Sequence, residues 1–232
     1  MPTVTTVTTL ADYSDERGNK IIHGNTTTNN VKINFRGTGN TLVVSPNASI
    51  GKLEVHFDCN NAVLEIGGHS KVPSFRGWIR LGEDAKVRIG ANVSMTNTCT
   101  ISAVEGATIT IGNDVMIASD NDIRADDAHP IFDVTTGERI NPAQDITIGN
   151  HVWIAKRAVV LGGASIGDGS ILGFGSLLTG KVPNNCVAAG TPARVIRENV
   201  AWERPHLSLT EPYYKPDAST VTKTGYWNLT QH

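Results

Sequence analysis

The chain has 232 residues, and 20 Lys and Arg against 22 Asp and Glu give it a formal net charge of −2. This near balance argues against a general nucleic-acid binder, which needs many uncompensated basic groups to meet phosphates. Glycine is frequent, with 23 residues, and aromatic residues make up only 6% of the chain. Such a composition favours tight turns and a narrow interior over a helical bundle.

The N-terminal residues 1–40 are rich in Thr and Asn and keep no regular apolar spacing, which predicts an irregular cap. The opening stretch lacks the apolar segment of a secretory signal, and no run of about 18 apolar residues occurs in the sequence. We therefore expect a cytoplasmic protein with no membrane span. The three cysteines (Cys59, Cys99 and Cys186) form no C-x-x-C and predict no disulfide framework.

From about residue 41 to 183 the sequence predicts a solenoid, because aliphatic residues recur at every sixth position. The step is clearest at Ile148, Ile154, Val160, Ile166, Leu172 and Leu178. Four residues after each stands a small or β-branched residue: Val152, Ala158, Ala164, Ser170, Ser176 and Val182. A period of six fits a coil of about 18 residues with three flat faces, each pointing one aliphatic residue inward. The same step holds with breaks over residues 89–123, where Cys99 falls at a small core position.

Residues 124–145 interrupt this pattern with the polar sequence RADDAHPIFDVTTGERINPAQD. We predict that they form a loop projecting from the solenoid, and loops on a rigid scaffold commonly carry chemistry. After Pro183 the register ends, and the segment GTPARVIREN predicts the start of a short helix. The tail from Trp202, with Tyr213, Tyr214 and Trp227, is expected to pack on the body or on a neighbouring subunit. Residues 184–232 are therefore predicted to form a C-terminal helix and tail.

Four features occur together and in order: the hexads, the loop segment D-D-A-H-P-I-F-D, the segment I-G-N-H-V-W-I-A, and the closing A-A-G-T-P-A-R-V-I-R. Over about residues 41–200 they resemble the left-handed β-helix (hexapeptide-repeat) acyltransferases. The resemblance implies an all-β, left-handed parallel β-helix, a homotrimer with active sites between adjacent subunits, and acetyl-CoA as acyl donor. The loop is most similar to that of bacterial sialic acid and polysialic acid capsule O-acetyltransferases. In those enzymes a loop His and a Trp on the next coil form the functional pair, and here they match His129 and Trp153.

Acetyl transfer to a sugar hydroxyl needs a base, and the ordinary pKa of histidine, about 6.5, lies near working pH. We therefore predict His129 as the general base. Asp127 is favoured over Asp126 as the carboxylate that orients its ring, as in a catalytic triad. The thiolate of CoA is already a good leaving group, so no metal is required. The seven His form no closely spaced pair, which disfavours a zinc site.

Trp153 is larger than the residues at the equivalent hexad positions, and by resemblance it lines the active site; plain interface packing is the alternative. His151, two residues earlier, is predicted to be a surface histidine, with a role in substrate binding as the alternative. By resemblance, CoA lies along the C-terminal coils. The candidate CoA contacts are Lys156, Arg157, Gly173, Lys181 and Arg194.

Residues 71–90 hold five Lys or Arg against Glu83 and Asp84. Arg76, Trp78 and Arg80 in this stretch are candidates to bind an anionic saccharide, since arginine meets a carboxylate in a forked geometry. An exposed strand face is the alternative. The resemblance implies an acetyl-CoA-dependent O-acetyltransferase acting on a bacterial surface or capsular saccharide that contains sialic acid. N-acetylation of an amino sugar or nucleotide sugar, and a structural solenoid without activity, are the competing hypotheses.

Overall fold

A computed structural model describes residues 4–24, 27–28, 30–207, 219 and 221–232. These residues form 24 β-strands and no α-helix. The strands lie in three sheets, which are the three faces of a parallel β-helix. Tyr213 and Tyr214 of the tail fall outside the described residues.

The first sheet contains nine strands: Thr5–Val7, Thr27–Thr28, Val31–Phe35, Ser49–Phe57, Phe75–Leu81, Cys99–Ala103, Asp122–Arg124, Val159–Leu161 and Leu177–Leu178. The second contains nine: Tyr13–Ser14, Lys20–His23, Thr41–Val44, Val63–Ile66, Lys86–Ile89, Thr108–Ile111, Ile146–Ile148, Ser165–Ile166 and Lys181–Val182. The third contains six: Ser94–Met95, Met116–Ile117, Trp153–Ile154, Ile171–Leu172, Val187–Gly190 and Ala193–Arg197.

The hexad prediction is confirmed by the strand register and by burial. Ile148 pairs in parallel with Ile166 on the next coil, and Ile154 pairs with Leu172. All six aliphatic positions and all six small positions of residues 148–182 are buried. Cys99 is buried too, as predicted, and burial raises the pKa of its thiol. Stacked coils thereby bury one continuous aliphatic column.

The coils grow longer toward the N-terminus, which explains why the hexads weaken there. Equivalent residues lie 18 positions apart around Asn150 but 22 apart around Ala91. The added residues lengthen the strands of the first sheet, from two in Leu177–Leu178 to seven in Phe75–Leu81. The wider interior holds stacked aromatic rings, with the ring centroids of Phe35 and Phe57 5.0 Å apart.

The corner between the second and third sheets carries a column of polar residues. Asn113 accepts a hydrogen bond from the backbone N–H of Ala91, and Asn150 accepts one from Asn113, both at 2.8 Å. The next position of this corner adopts a left-handed backbone, with φ of 58° at Asp114 and 51° at His151. Asn and Asp tolerate that conformation better than other non-glycine residues, so Asp114 fits the turn.

Antiparallel strands replace the parallel ladder at both ends of the solenoid. Thr5–Val7 pairs antiparallel with Val31–Phe35, and Tyr13–Ser14 pairs antiparallel with Lys20–His23. Parallel pairing begins at Lys20, which pairs with Thr41. The cap therefore ends well before residue 40, where the sequence placed its boundary.

The predicted C-terminal helix is wrong. Ala193–Arg197 is a strand that folds back antiparallel onto Val187–Gly190. Pro192 disfavours the helical conformation for the residue before it, and Gly190 turns the chain with φ of 103°. Val195 and Ile196 are β-branched and suit the strand that follows.

The tail packs on the body of the same chain. Residues 200–207, which we call the C-terminal strap, are anchored by Trp202, whose side chain is buried and whose Nε1 donates to the carbonyl of His151 at 2.9 Å. Farther along, the carbonyl of Tyr226 accepts from Asn185 at 2.6 Å.

Candidate active site

The interruption at residues 125–145 is an ordered loop on one corner of the solenoid. It leaves the first sheet after Asp122–Arg124 and returns at Ile146–Ile148 of the second. Its middle is a hairpin in which Ile140 donates to the carbonyl of Ile131 at 2.9 Å, and Phe132 forms a bridge with Arg139. The sequence-predicted loop thus has a defined conformation.

His129 is exposed on this loop, next to a fixed turn of the backbone. Ala128 has a left-handed backbone with φ of 62°, and its N–H donates to the Asp126 carboxylate at 3.0 Å. The His129 N–H donates to the carbonyl of Asp127 at 2.7 Å. The backbone that presents the histidine is therefore held by two hydrogen bonds, one to the side chain of Asp126 and one to the carbonyl of Asp127.

The two candidate orienting carboxylates have different environments. Asp126 is buried and accepts a hydrogen bond from Ser102 Oγ at 2.7 Å. Asp127 is exposed and accepts one from Asn141 Nδ2 at 3.0 Å. Burial and the bond to Ser102 make Asp126 a structural anchor of the loop. Asp127 is the candidate carboxylate that lies at the surface, two residues before His129 in the sequence.

Asn141 is a loop residue that sequence reasoning missed. Its side-chain Nδ2 donates to Asp127 and, at 2.9 Å, to the carbonyl of His129. Its Oδ1 accepts from the N–H of Ile131 at 2.6 Å. The amide thus holds both sides of the turn that carries His129. A single Asn in a polar loop offered no pattern by which it could have been found.

The base of the loop is tied to the neighbouring coil by Glu105. Its carboxylate accepts from Arg139 Nη1 at 2.7 Å and from the N–H of Ala143 at 3.1 Å. These hydrogen bonds lower the pKa of Glu105 below its usual value. A cleft of about 330 Å³ opens beside this tie, lined by Arg80, Asp126 and Pro130 among others. A second cleft, of about 240 Å³, lies on the other side of the loop against Gly162 and Thr179.

Trp153 lies on a different face from the loop. It belongs to the third sheet, between Met116 and Ile171 in register, and is half-buried. The loop joins the first sheet to the second, so one chain does not bring Trp153 and His129 to the same face. The ring centroid of Trp202 from the strap lies 6.0 Å from that of Trp153.

The prediction of His151 as a surface residue is wrong, because its side chain is buried. Its Nδ1 lies 2.6 Å from Asp114 Oδ2, and its Nε2 lies 2.9 Å from the backbone oxygen of Trp202. Arg204 binds the other oxygen of Asp114 at 2.7 Å. His151 therefore fastens the strap to the solenoid.

Four of the five predicted CoA contacts lie toward one corner. Lys156 and Arg157 form an exposed turn between the third and first sheets, and Lys156 Nζ lies 3.6 Å from Asp120. Gly173 precedes the equivalent turn of the next coil, and Arg194 lies on the hairpin strand, opposite Ala189, which contacts Gly173. Lys181 is exposed on the second sheet, away from that corner.

The predicted saccharide-binding residues share the outward face of Phe75–Leu81. Arg76, Trp78 and Arg80 alternate with buried residues, and the Trp78 ring lies 5.2 Å from the His56 ring. Arg80 already has intramolecular partners, since its Nε lies 2.9 Å from Asp58 and its Nη1 lies 3.7 Å from Asp126. Its guanidinium therefore also forms an ion pair with Asp126 at the start of the loop.

Two further findings concern the described part of the chain only. It contains no helix that could cross a membrane. No three His, Cys, Asp or Glu side chains in it come together as a metal site would need.

Comparisons with known proteins agree with this architecture. The family model "Bacterial transferase hexapeptide (six repeats)" matches residues 145–180. The polysialic acid O-acetyltransferase of Neisseria meningitidis is 34% identical over 195 residues, covering 83% of this chain and 89% of the relative. That of Escherichia coli O1:K1 is 36% identical over 138 residues, which is 55% of this chain but only 45% of the relative. The crystal structure of the polysialic acid O-acetyltransferase OatWY is 29% identical with a TM-score of 0.57, covering 75% of this chain and 92% of that one.

The three-faced hexapeptide solenoid and the similarity to named acetyltransferases together indicate an acyltransferase of the β-helix class. With the similarity to the N. meningitidis relative over most of both lengths, the chain belongs to the hexapeptide-repeat acyltransferases.

Proposed function

We propose that the protein transfers an acetyl group from acetyl-CoA to a hydroxyl of a bacterial capsular saccharide that contains sialic acid. The observation that carries the proposal is the loop itself: a histidine on an ordered turn, in a chain that is 34% identical to a polysialic acid O-acetyltransferase over 195 residues. An exposed imidazole on a fixed backbone suits a base that must reach an incoming hydroxyl.

In the proposed reaction the acceptor hydroxyl oxygen attacks the thioester carbonyl carbon while His129 takes the hydroxyl proton. The tetrahedral intermediate collapses, the carbon–sulfur bond breaks, and the CoA thiolate takes the proton back from the imidazolium. Asp127 orients the imidazole. Trp153 packs against acceptor or cofactor.

Two substrate-binding surfaces are proposed. Lys156, Arg157, Gly173 and Arg194, which lie toward one corner, are proposed to hold acetyl-CoA, with the cations meeting its phosphates. Lys181 lies away from that corner and is not included. The outward face of the first sheet, with Arg76, Trp78 and Arg80, is proposed to hold the anionic saccharide. Arg76 is the better candidate for its carboxylate, because Arg80 is bound to Asp58.

The assembly is proposed to be a homotrimer with active sites between subunits. The loop exposes four large apolar side chains, and exposed apolar clusters mark interaction surfaces. They are Ile131 (51% exposed), Phe132 (55%), Val134 (99%) and Ile140 (61%). Since His129 and Trp153 lie on different faces of one chain, they would meet only across two copies.

The proposal is tested by thiol release from acetyl-CoA with a panel of free sialic acid, sialylated oligomers, neutral sugars and amino sugars. We expect release that requires a sialylated acceptor and is lost in His129→Ala. Thiol release with amino sugars alone would show N-acetylation instead of O-acetylation. Full activity of His129→Ala would show that His129 is not the general base.

A mixing experiment tests the shared site. His129→Ala and Trp153→Ala chains are each expected to be inactive, and co-expressed chains should regain activity because some sites then combine an intact His129 with an intact Trp153. No recovery in mixed oligomers, or a monomer in sedimentation, would contradict a site between subunits.

For the saccharide face, Arg76→Gln should raise KM for the sialylated acceptor and leave KM for acetyl-CoA unchanged. Arg88→Gln is the matched control, since Arg88 points outward from the second sheet and pairs with Glu65 at 3.1 Å. An equal effect of both variants on KM for the acceptor would contradict the proposal that the acceptor binds to the first sheet.

A further inference from the structure

The contact between His151 and the C-terminal strap is reciprocal. The His151 Nε2 lies 2.9 Å from the carbonyl oxygen of Trp202, and the Trp202 Nε1 donates to the carbonyl oxygen of His151, also at 2.9 Å. The imidazole stacks on the Trp202 ring with centroids 4.2 Å apart and on the Tyr226 ring with centroids 4.9 Å apart. This buried histidine takes part in none of the proposed chemistry.

Both ring nitrogens of His151 face hydrogen-bond acceptors. A carbonyl oxygen can only accept, and the Asp114 carboxylate is kept ionised by its bond to Arg204 at 2.7 Å. A neutral imidazole has only one N–H. Two N–H groups are needed to satisfy both contacts, so the geometry requires the imidazolium.

His69, a second histidine with little exposure, shows the contrast. Its Nδ1 accepts from the N–H of Ser49 at 3.1 Å, and its Nε2 lies 2.8 Å from the carbonyl oxygen of Val93. One acceptor and one donor are what a neutral ring provides. Burial lowers the pKa of His69, in keeping with that neutral form.

We infer that Asp114 and the charged His151 form a proton-dependent latch that holds the C-terminal strap against Trp153, and that these two are positioning residues for Trp153. The link is Trp202, whose ring touches both His151 and Trp153. The part of this inference that concerns Trp153 rests on the proposed function; the latch itself does not.

The charged surroundings favour the latched form. On the solenoid, Asp114 faces His151; on the strap, Glu203 adds a second negative charge and Arg204 lies across Asp114. Burial by itself lowers the pKa of His151, but the hydrogen bonds to Asp114 and Trp202 outweigh it, so the pKa stands above its usual value. Tyr226, packed on the ring, has its pKa raised by burial and by Asp168 and Asp114, and it stays neutral.

The sign of the pH dependence follows from these directions. A group whose pKa is raised by folding contributes fully below its ordinary pKa, about 6.5 for histidine, and loses the contribution as pH rises through the raised value. The pKa of Asp114 is lowered, because hydrogen bonds from His151 and Arg204 outweigh its burial. On the acid side the latch therefore persists until pH falls through that lowered value.

Hydrogen exchange of the full chain tests the latch without any substrate. Between about pH 6 and about pH 9, and after correction for intrinsic exchange, we expect protection of residues 200–207 to fall about tenfold or more, the loss of one hydrogen bond to a charged group. Residues 152–162 of the coil should not change. Strap protection that does not depend on pH would overturn the inference.

A variant at the latch sharpens the test. His151→Asn suits the left-handed turn, since Asn92 occupies the equivalent corner position with φ of 59°. Its strap should be weakly protected at every pH. Trp202→Phe keeps an aromatic ring but loses the indole N–H that donates to the carbonyl of His151. The backbone carbonyl that faces His151 Nε2 remains, so the strap should be less protected but keep its pH dependence. If His151→Asn does not fold, nuclear magnetic resonance titration of the wild type decides. His151 must titrate above the ordinary histidine value and His69 below it, and the reverse for His151 would refute the latch.

Activity separates the two proposals. If the latch positions Trp153, KM for the substrate that packs against it, acceptor or acetyl-CoA, should rise as pH increases in the wild type but be raised and independent of pH in His151→Asn. No acetyl transfer to any acceptor, together with a pH-dependent strap, would defeat the proposed function and leave the latch standing. Acetyl transfer with a strap indifferent to pH would defeat the latch alone.

Discussion

Replacing Asn141 by Ala should lower kcat without lowering the stability of the solenoid. The substitution removes the hydrogen bonds to Asp127 and to the carbonyl of His129, and leaves the N–H of Ile131 unpaired. At about 1 kcal/mol net for each bond, and less where water competes, the turn loses about 2 kcal/mol of ordering. That free energy corresponds to a loss of about thirtyfold in kcat if the histidine must be held in place to act.

The assay is thiol release from acetyl-CoA at saturating donor and acceptor, beside a thermal unfolding scan. Tm should stay within a few degrees of wild type, because Asn141 lies outside the coils. Thr136→Ala is the matched control, since Thr136 accepts a hydrogen bond from Glu138 at the far end of the same loop and should leave kcat within about twofold. Wild-type kcat in Asn141→Ala, with His129→Ala inactive, would refute the reasoning that the amide positions the base.

Three further results are expected. In the native protein a thiol reagent should modify the partly exposed Cys59 and spare Cys99, whose buried thiol has a raised pKa; equal rates would show that the core opens readily. Gly112→Ala should lower the free energy of unfolding in urea by about 1–3 kcal/mol, because its new Cβ would stand 2.7 Å from the backbone of the next coil. The Glu105–Arg139 tie should hold as pH falls past the ordinary glutamate range and open only below it, since the pKa of Glu105 is lowered. Hydrogen exchange of residues 139–143 would show this, and opening at or above the ordinary glutamate pKa would contradict it.

The fold could be predicted because its rule is local. Each coil needs an inward-pointing aliphatic residue at every sixth position, so the spacing alone predicts that Ile154, Val160 and Ile166 point inward. The projecting loop was equally visible, as a break in that spacing. The boundary of the N-terminal cap was missed because the early coils take 21 or 22 residues instead of 18, and their longer strands obscure the six-residue period.

The contacts that depend on distant partners could not be predicted. His151 is held by Asp114, 37 positions earlier, and by Trp202, 51 positions later. No spacing rule links them, and a single histidine after Asn150, in the turn between two strands, is typical of a surface. The strand Ala193–Arg197 was misjudged for a different reason, because its signals are local: Pro192 disfavours a helix, and Val195 and Ile196 favour the strand that pairs with Val187–Gly190.

The antiparallel strands at the two ends also govern how copies of the protein can meet. An open parallel ladder is a template on which a second solenoid could continue end to end, as in a fibre. Thr5–Val7 and Tyr13–Ser14 reverse the chain direction at the first and second sheets, and Ala193–Arg197 does so at the third. The remaining ends, Leu177–Leu178, Lys181–Val182 and Ser94–Met95, are only two residues long, and short edge strands make poor templates. Linear polymerisation is thereby discouraged, which leaves the flanks, where the histidine loop projects, as the surfaces open to contact with another copy.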